Sequence, residues 1–331
     1  MSEEQYAQRD AVLAEDDFEK LRVVYSLPTH ACSCEVYPMR GVLQQPGGEP
    51  EAVEFWGVAS VYTLEAERGK GNAAKLLAGV AAVAKRASVS ALLLMCEVPV
   101  RVYSSMGYVA PFSEAHDLEF SSLVSGAPPF DTRVRLLQPG EREAAADTLG
   151  SRCNAALKTH AGVAMCPSAA QFGWAVSRDV ALRKAVGLPP APLACGAVCG
   201  SALALWAFDA EEQEDGSFRP VLRISAFSPS DGGGSDAKPA DAAAVLAAAV
   251  RVAHRGGASK ALLWRTDALR GDSFASGGAT SFWEPPEEAL RDLGVASTAI
   301  PRTCRSLPMM LPLSERVDPK AWRYIQRACW I

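Results

Sequence analysis

Between residues 8 and 25 the apolar positions Val12, Leu13, Phe18, Leu21, Val24 and Tyr25 fall at intervals of three and four, the spacing of one helix face. The pattern predicts a helix that stops before Pro28. Residues 31 to 43 then read as extended, residues 44 to 50 (QQPGGEP) as a turn, and residues 54 to 63 (EFWGVASVYT) as a second strand rich in β-branched and aromatic side chains. An antiparallel pair follows from that order. After Thr63 the period changes: LEAERGKGNA runs into KLLAGVAAVAKRA, whose apolar positions and alanines predict an amphipathic helix. Residues 89 to 96 (VSALLLMC) form a short apolar run of buried-strand type, followed by a short helix to Met106 and a further strand-like piece past Gly107 and Tyr108.

Residues 125 to 131 (SGAPPFD) interrupt every periodicity, and the expected domain boundary lies there, giving domains over 1–125 and 132–331. In the second part, helices near 140 to 158 and 168 to 187 precede strands near 193 to 208 and 219 to 227, joined by an acidic turn into a second hairpin. Asp241 is placed to cap the helix AAAVLAAAVRVAHR, which stops at Gly256 and Gly257, and the strand-like ALLWRT and SLPMMLPL complete the order. Each part thus runs hairpin, helix, strand, without sequence self-similarity strong enough to define a repeat. A chain of 331 residues has room for two such cores.

Composition narrows the function classes. With 49% hydrophobic and 21% charged residues the chain falls outside the disordered and fibrous classes, and its net charge of -5 supplies no field for a nucleic-acid backbone. Residues 1–128 hold 10 Lys and Arg against 17 Asp and Glu, while the remainder holds 23 against 21, an acidic first part that suits a cationic small substrate. The nine cysteines are scattered, with no matched pairs of ligand spacing and only four histidines, so they read as free thiols in a reducing cytoplasm and not as a metal site. No signal-like start and no apolar run of membrane-spanning length is present, so neither a membrane nor a nucleic acid is an expected partner.

The chemistry concentrates at Arg68, Gly69, Lys70, Gly71, Asn72 and Ala73, between a strand and the first turn of a helix. Backbone N–H groups without helical partners converge there into an anion cradle, the two glycines admit a close approach, and Arg68 and Lys70 add charge at the rim. A triphosphate-binding loop of the Walker type needs four residues between its glycines and a following Lys-Ser/Thr, which are missing, and a dinucleotide fingerprint needs a third glycine after a parallel first strand. What fits is R-x-x-G-x-A, read as Arg68, Gly71 and Ala73, with Tyr103, Gly107 and Tyr108 matching a Y-x-x-x-G-F/Y segment one strand later. In these landmarks the chain resembles the GCN5-related N-acetyltransferases. Within them it is most similar to the fungal lysine N6-acetyltransferases, on Ser33, Cys34, Glu35 and Tyr37, on the block 53 to 77, and more faintly on FGWAVSRDVALRK and on Arg305, Ser306, Leu307 and Pro308. About thirty residues precede the Ser-Cys-Glu element, fewer than that family uses to wall its acceptor site.

The resemblance implies an α/β fold with a mixed, mostly antiparallel sheet flanked by helices, a second α/β domain of related type, and acetyl-CoA as co-substrate without a metal. It implies that main-chain groups at Val61, Tyr62 and Thr63 pair with the pantetheine arm and polarise the thioester, and that Tyr103 protonates the departing thiolate. A base is needed for the amine; Glu35 is the first candidate, with Glu54 and Glu97 as others. A free amino acid would also need a cation for its carboxylate, for which Arg40, Arg178, Arg265 and Arg305 are equal candidates, the last ones near Trp264 and Trp283. The implied reaction is acetyl transfer to the N6 amine of free lysine. Transfer to another small amine or a protein terminus, and a silent acyl-CoA sensor, stand beside it. The second domain would close over the acceptor or form a homodimer surface.

Overall fold

The structure, a computed structural model, describes residues 7, 10–110, 114–119, 131–159, 161–166, 168–213, 215–228, 239–258, 260–264, 288, 296–301, 307–319 and 322–323. The chain order is β1 (Val23–Ser26), β2 (Cys32–Gln44), β3 (Glu51–Thr63), α1 (Asn72–Arg86), β4 (Ala91–Cys96), α2 (Arg101–Ser104), β5 (Glu114–Glu119), β6 (Arg135–Leu137), α3 (Arg142–Thr159) and β7 (Gly162–Met165). It continues with α4 (Ala169–Ala185), β8 (Gly196–Cys199), β9 (Ala202–Glu212), β10 (Phe218–Ser228), α5 (Pro239–Arg255), β11 (Lys260–Trp264), β12 (Ala296–Pro301), β13 (Leu307–Pro312) and β14 (Trp322–Arg323).

Two mixed sheets result. The first has the order β13-β4-β3-β2-β7-β14, with β1 also on β2; the second has the order β12-β5-β11-β10-β9-β8-β6. This is the expected mixed α/β class, mostly antiparallel with helices laid on the sheets. The sheets do not follow the expected cut between residues 125 and 132: β5 pairs with β11 and β12, while β7 returns to β2 and β13 to β4.

Each sheet contains the same unit. In the first, β2 and β3 are antiparallel and α1 crosses over to β4, which lies parallel to β3. In the second, β9 and β10 are antiparallel and α5 crosses to β11, parallel to β10. A parallel neighbour demands such a crossover, so the helix in each unit is a consequence of the pairing. Helix α1 buries Leu76, Leu77, Val80 and Ala84 against Val36, Val58, Leu92, Leu94 and Met309. Helix α5 does the same with Val245, Leu246, Ala249 and Val252 against Ala204, Trp206, Leu222 and Ile224.

Two local expectations are corrected. The helix expected over 8 to 25 runs no further than Leu13: the Phe18 N–H donates to Asp16 Oδ1 (2.9 Å), a 3-10 turn follows at Glu19–Leu21, and β1 pairs with β2. The Asp16 side chain offers the backbone a turn in place of the next helical bond, and the β-branched Val23 and Val24 favour the ladder. Asp241 is not the cap but lies inside the first turn of a helix that begins at Pro239. Proline at the start needs no N–H donor there, so the helix begins three residues earlier than the expected Ala242.

Strand β2 sits between β3 and β7, and Gly41 is where they approach most tightly: a Cβ there would enter the Phe55 ring and lie 2.7 Å from the Ala164 carbonyl oxygen. Gly41→Ala is expected to destabilise the protein by about 1–3 kcal/mol, read as a lower urea midpoint with unchanged slope.

Candidate active site

Strands β3 and β4 are paired only from Phe55 with Ala91 to Val58 with Leu94, yet β3 continues to Thr63 and β4 to Cys96. The strands part because β3 carries an extra residue there. Opposite the step from Ser33 to Glu35 on β2 it advances from Tyr62 to Ala59, and Ser60 takes the left-handed conformation at φ 50°. A bulge of this kind bends a strand away from its neighbour and frees main-chain groups on the edge it leaves. Residues 59–63 are therefore an edge open to another extended chain. Of the residues expected to hold the pantetheine arm, Val61 packs on the core, Tyr62 is exposed, and Thr63 gives its hydroxyl hydrogen to Cys32 Sγ (3.2 Å).

The glycine loop closes the same edge. Gly69 and Gly71 have φ of 76° and 73°, and a Cβ at either would meet nothing within 4 Å, so the space in front of the loop is open. Gly71 is the N-cap of α1, and the first turn contains no acidic residue. Its carbonyl takes the Lys75 N–H (3.1 Å), which leaves the amides of Asn72, Ala73 and Ala74 directed outward without helical partners. Arg68 folds back, donating from Nε to the Thr63 carbonyl (3.3 Å), Lys70 pairs with Glu67 (2.9 Å), and Asn72 donates to the Glu67 carbonyl (3.1 Å). The Lys70 hydrogen bond holds the Glu67 carboxyl below its ordinary value. Side chains thus brace the loop while its amides face out.

Beside the parting strands lies a cavity of about 370 Å³ lined by Asp10, Glu19, Glu35, Glu97, Arg22 and Arg178 among others. Four carboxylates against two guanidiniums make it a place for a cation. Glu35 Oε1 accepts from Arg22 Nη1 (2.8 Å) and Oε2 from Ser60 Oγ (2.8 Å), so both oxygens are committed. Arg22 also pairs with Glu19 (2.8 Å), whose other oxygen accepts from Tyr37 Oη (3.2 Å) and Trp174 Nε1 (2.8 Å). Burial beside these carboxylates holds the Tyr37 phenol well above its ordinary value, so it remains a donor. Glu97 is exposed on the same cavity and has no hydrogen bond or ion pair among the described residues.

The other candidates separate cleanly. Tyr103 lies on α2, half-buried, edge-on to Tyr108 at 5.8 Å, and burial pushes its phenol up to about 12. Glu54 accepts from Trp56 Nε1 (2.7 Å) and stands opposite Arg40, far along β3 from Ala59, so neither Glu54 nor Arg40 reaches the cavity. The cavity wall on these strands begins at Met39 and Gly57, and neither Glu54 nor Arg40 is part of it. Arg265, Trp283 and Arg305 lie outside the described residues, as does the side chain of Trp264. Glu19, Arg22 and Ser60 are part of the site without having been singled out. Trp174 and Arg178, one helical turn apart, come from the FGWAVSRDVALRK segment.

The second sheet repeats the parting: β10 and β11 pair only from Leu222 with Ala261 to Ile224 with Leu263, with a bulge at the next residue, while β10 continues to Ser228. Its helix end is closed, however. Asp241 is buried in the first turn of α5, where Arg133 Nη1 donates to it (2.6 Å), and Gly200 at φ 53° leaves no room for a Cβ beside its carboxylate. An anion already sits at that dipole, which opposes a second one there, whereas the first turn of α1 carries no acidic residue.

A family model described as the LYC1 GNAT-like C-terminal domain matches residues 141–331, more than half of the chain. The chain belongs to that family. It is an N-acetyltransferase of the GNAT type. Among solved structures, a conserved protein of Enterococcus faecalis V583 named a probable N-acyltransferase is similar at 11% identity and a TM-score of 0.51, over 94% of this chain and 70% of that one. A GCN5-related N-acetyltransferase from Anabaena variabilis matches at 14% identity and a TM-score of 0.45, over 95% and 71% of the two chains. Eis1 from Mycobacterium abscessus matches at 13% and 0.45, over 95% and 72%. The first of these supports the fold. No curated protein matches the chain. Acetyl-CoA is the co-substrate of GNAT enzymes. Among the described residues no helix is long and apolar enough to cross a membrane, and no group of three or more His, Cys, Asp and Glu could hold a metal ion.

Gly71→Val places a β-branched side chain at positive φ in front of the Asn72, Ala73 and Ala74 amides. It is expected to weaken coenzyme A binding by about tenfold or more, measured by calorimetry.

Proposed function

We propose that this acetyltransferase moves an acetyl group from acetyl-CoA to the N6 amine of free L-lysine, both substrates being bound together. The observation that carries the reading is the cavity beside the parting strands, where Glu35 and Glu97 offer negative charge to an amine and Arg178 offers a guanidinium to a carboxylate. A lysine presents a cation at one end and a carboxylate at the other. Arg178 is already drawn toward Asp209 (3.5 Å), a loose pair that a substrate carboxylate would compete with. Other short cationic amines would meet the same two carboxylates.

In this mechanism the amine must first lose a proton. At pH 7 a side-chain ammonium with pKa near 10.4 lies about 4.6 kcal/mol from its neutral form. The proton passes through water to one of the two carboxylates, Glu35 or Glu97. The nitrogen lone pair then bonds to the thioester carbonyl carbon, whose oxygen is polarised by a main-chain N–H of residues 61 to 63. The C–S bond breaks, sulfur keeps the electron pair and takes a proton from Tyr103 Oη, the nitrogen releases its surplus proton to solvent to leave the neutral amide, and Tyr103 is reprotonated from solvent. Because burial raises the Tyr103 phenol, it stays protonated throughout the neutral and mildly alkaline range.

Free-thiol release with lysine and a panel of small amines tests the acceptor: turnover with lysine alone supports the reading, and turnover only with another amine overturns it. Tyr103→Phe is expected to lower kcat about 100-fold with acetyl-CoA affinity little changed, and wild-type kcat should show no alkaline decline below about pH 11. Glu35→Gln and Glu97→Gln are each expected to lower kcat/KM roughly tenfold or more at pH 7. The deficit should shrink toward pH 9.5, where solvent supplies free amine, and a pH-independent loss would remove both carboxylates from proton transfer.

A further inference from the structure

Helix α4 has a second working face. Trp174 and Arg178 face the acceptor cavity, while Asp179 and Arg183, one turn apart, line a separate cavity of about 420 Å³. Its walls are apolar and include Val180, Leu193, Trp206 and Phe208. The indole N–H of Trp206 is already given to the Ala194 carbonyl (2.8 Å), so the wall offers no polar group there. At the rim, Val180 and Leu193 are 56% and 76% exposed, unusual for large aliphatic side chains.

The floor is different. Arg183 is 2% exposed, lies over the Phe208 ring at 5.1 Å, and donates from Nε to the Pro189 carbonyl (2.8 Å) and from Nη2 to the Gly256 carbonyl (3.2 Å). Among the described residues its Nη1 has no partner. Asp179 is 4% exposed and its Oδ1 likewise has no partner among the described residues. The two do not form an ion pair with each other, and burial pushes the Asp179 carboxyl up to about 7. A buried donor and a buried acceptor left unmade within one helical turn are costly to keep unless something completes them.

We infer that this cavity is a ligand site for a small apolar molecule bearing a neutral carboxamide, whose N–H meets Asp179 Oδ1 and whose carbonyl meets Arg183 Nη1. A carboxylate would find the Asp179 acceptor opposing it, and an ammonium would find Arg183. The hydrocarbon part lies along Trp206 and Phe208 and emerges between Val180 and Leu193. The cavity is separate from the acceptor cavity, although Asp179 still feels the charges of Arg178 and Asp209.

Calorimetry at pH 8 on the full chain tests this with 4-phenylbutyramide, 4-phenylbutyrate and 4-phenylbutylamine as probes. One site for the amide, at least about tenfold tighter than for either charged analogue, is the expected result. Val180→Arg, an exposed rim change, should weaken the amide about tenfold or more while the Tm and acetyl transfer stay at wild-type values. Asp179→Leu removes the acceptor and should do the same to binding. No heat from the amide, an equal or stronger signal from the acid or amine, or wild-type affinity in Val180→Arg would each overturn the assignment.

Discussion

The site depends on a main-chain geometry: β3 cannot remain bonded to β4 after the bulge at Ser60. Up to Val58 the parallel ladder satisfies both strands, and past it no strand among the described residues pairs with the edge of β3 on that side. An extended amide-bearing arm would meet main-chain groups there, a contact that does not depend on which side chains residues 61 to 63 carry. The gap is held open by contacts outside it. Arg68 takes the Thr63 carbonyl, the Leu64 N–H is tied to the Ala31 carbonyl (3.0 Å), and Ser60 is fixed to Glu35. The same turn that ends β3 therefore aims the glycine loop and positions a carboxylate of the acceptor cavity.

The two units show how little separates a binding unit from its structural copy. Both have the antiparallel pair, the crossover helix, the short parallel pairing and the bulge. The difference lies in the first helical turn. Asn72, Ala73 and Ala74 leave the α1 dipole unanswered, whereas Asp241 answers the α5 dipole from within and is itself held by Arg133. Fold similarity alone would assign a cofactor to either helix, and the local charge chooses between them.

The strongly periodic pieces were legible in the chain itself. The α1 stripe of Leu76, Leu77, Val80 and Ala84, the β2–β3 hairpin and the β9–β10 hairpin each declare their period in a few residues. What stayed hidden was long-range. Nothing in GVAM reveals that β7 will pair with β2, or that β5 will leave the first sheet for the second, because strand partners are set by tertiary packing. The N-terminal segment misled for a local reason: its apolar spacing is helical, but Asp16 turns the chain before the pattern ends. Among the candidate residues, the glycine loop and Tyr103 had a spacing to declare them. Glu19 had none, being one acid among several, and only burial beneath Tyr37 and Trp174 distinguishes it.

That buried glutamate also explains why the acceptor cavity needs both parts of the chain. Phe18 stacks on Tyr37 at 5.5 Å and meets Trp174 edge-on at 6.3 Å, so an N-terminal residue, a strand of the first sheet and α4 form one small core. Glu19 sits within it and accepts from Tyr37, Trp174 and Arg22 at once. A carboxylate so placed is stable only while all of its donors are present, since removal of any one leaves charge under-solvated in an apolar setting. Arg22 in turn orients Glu35. The position of that cavity carboxylate is thus transmitted from α4, so the family-matched part of the chain shapes a cavity whose other wall comes from β2 and β3.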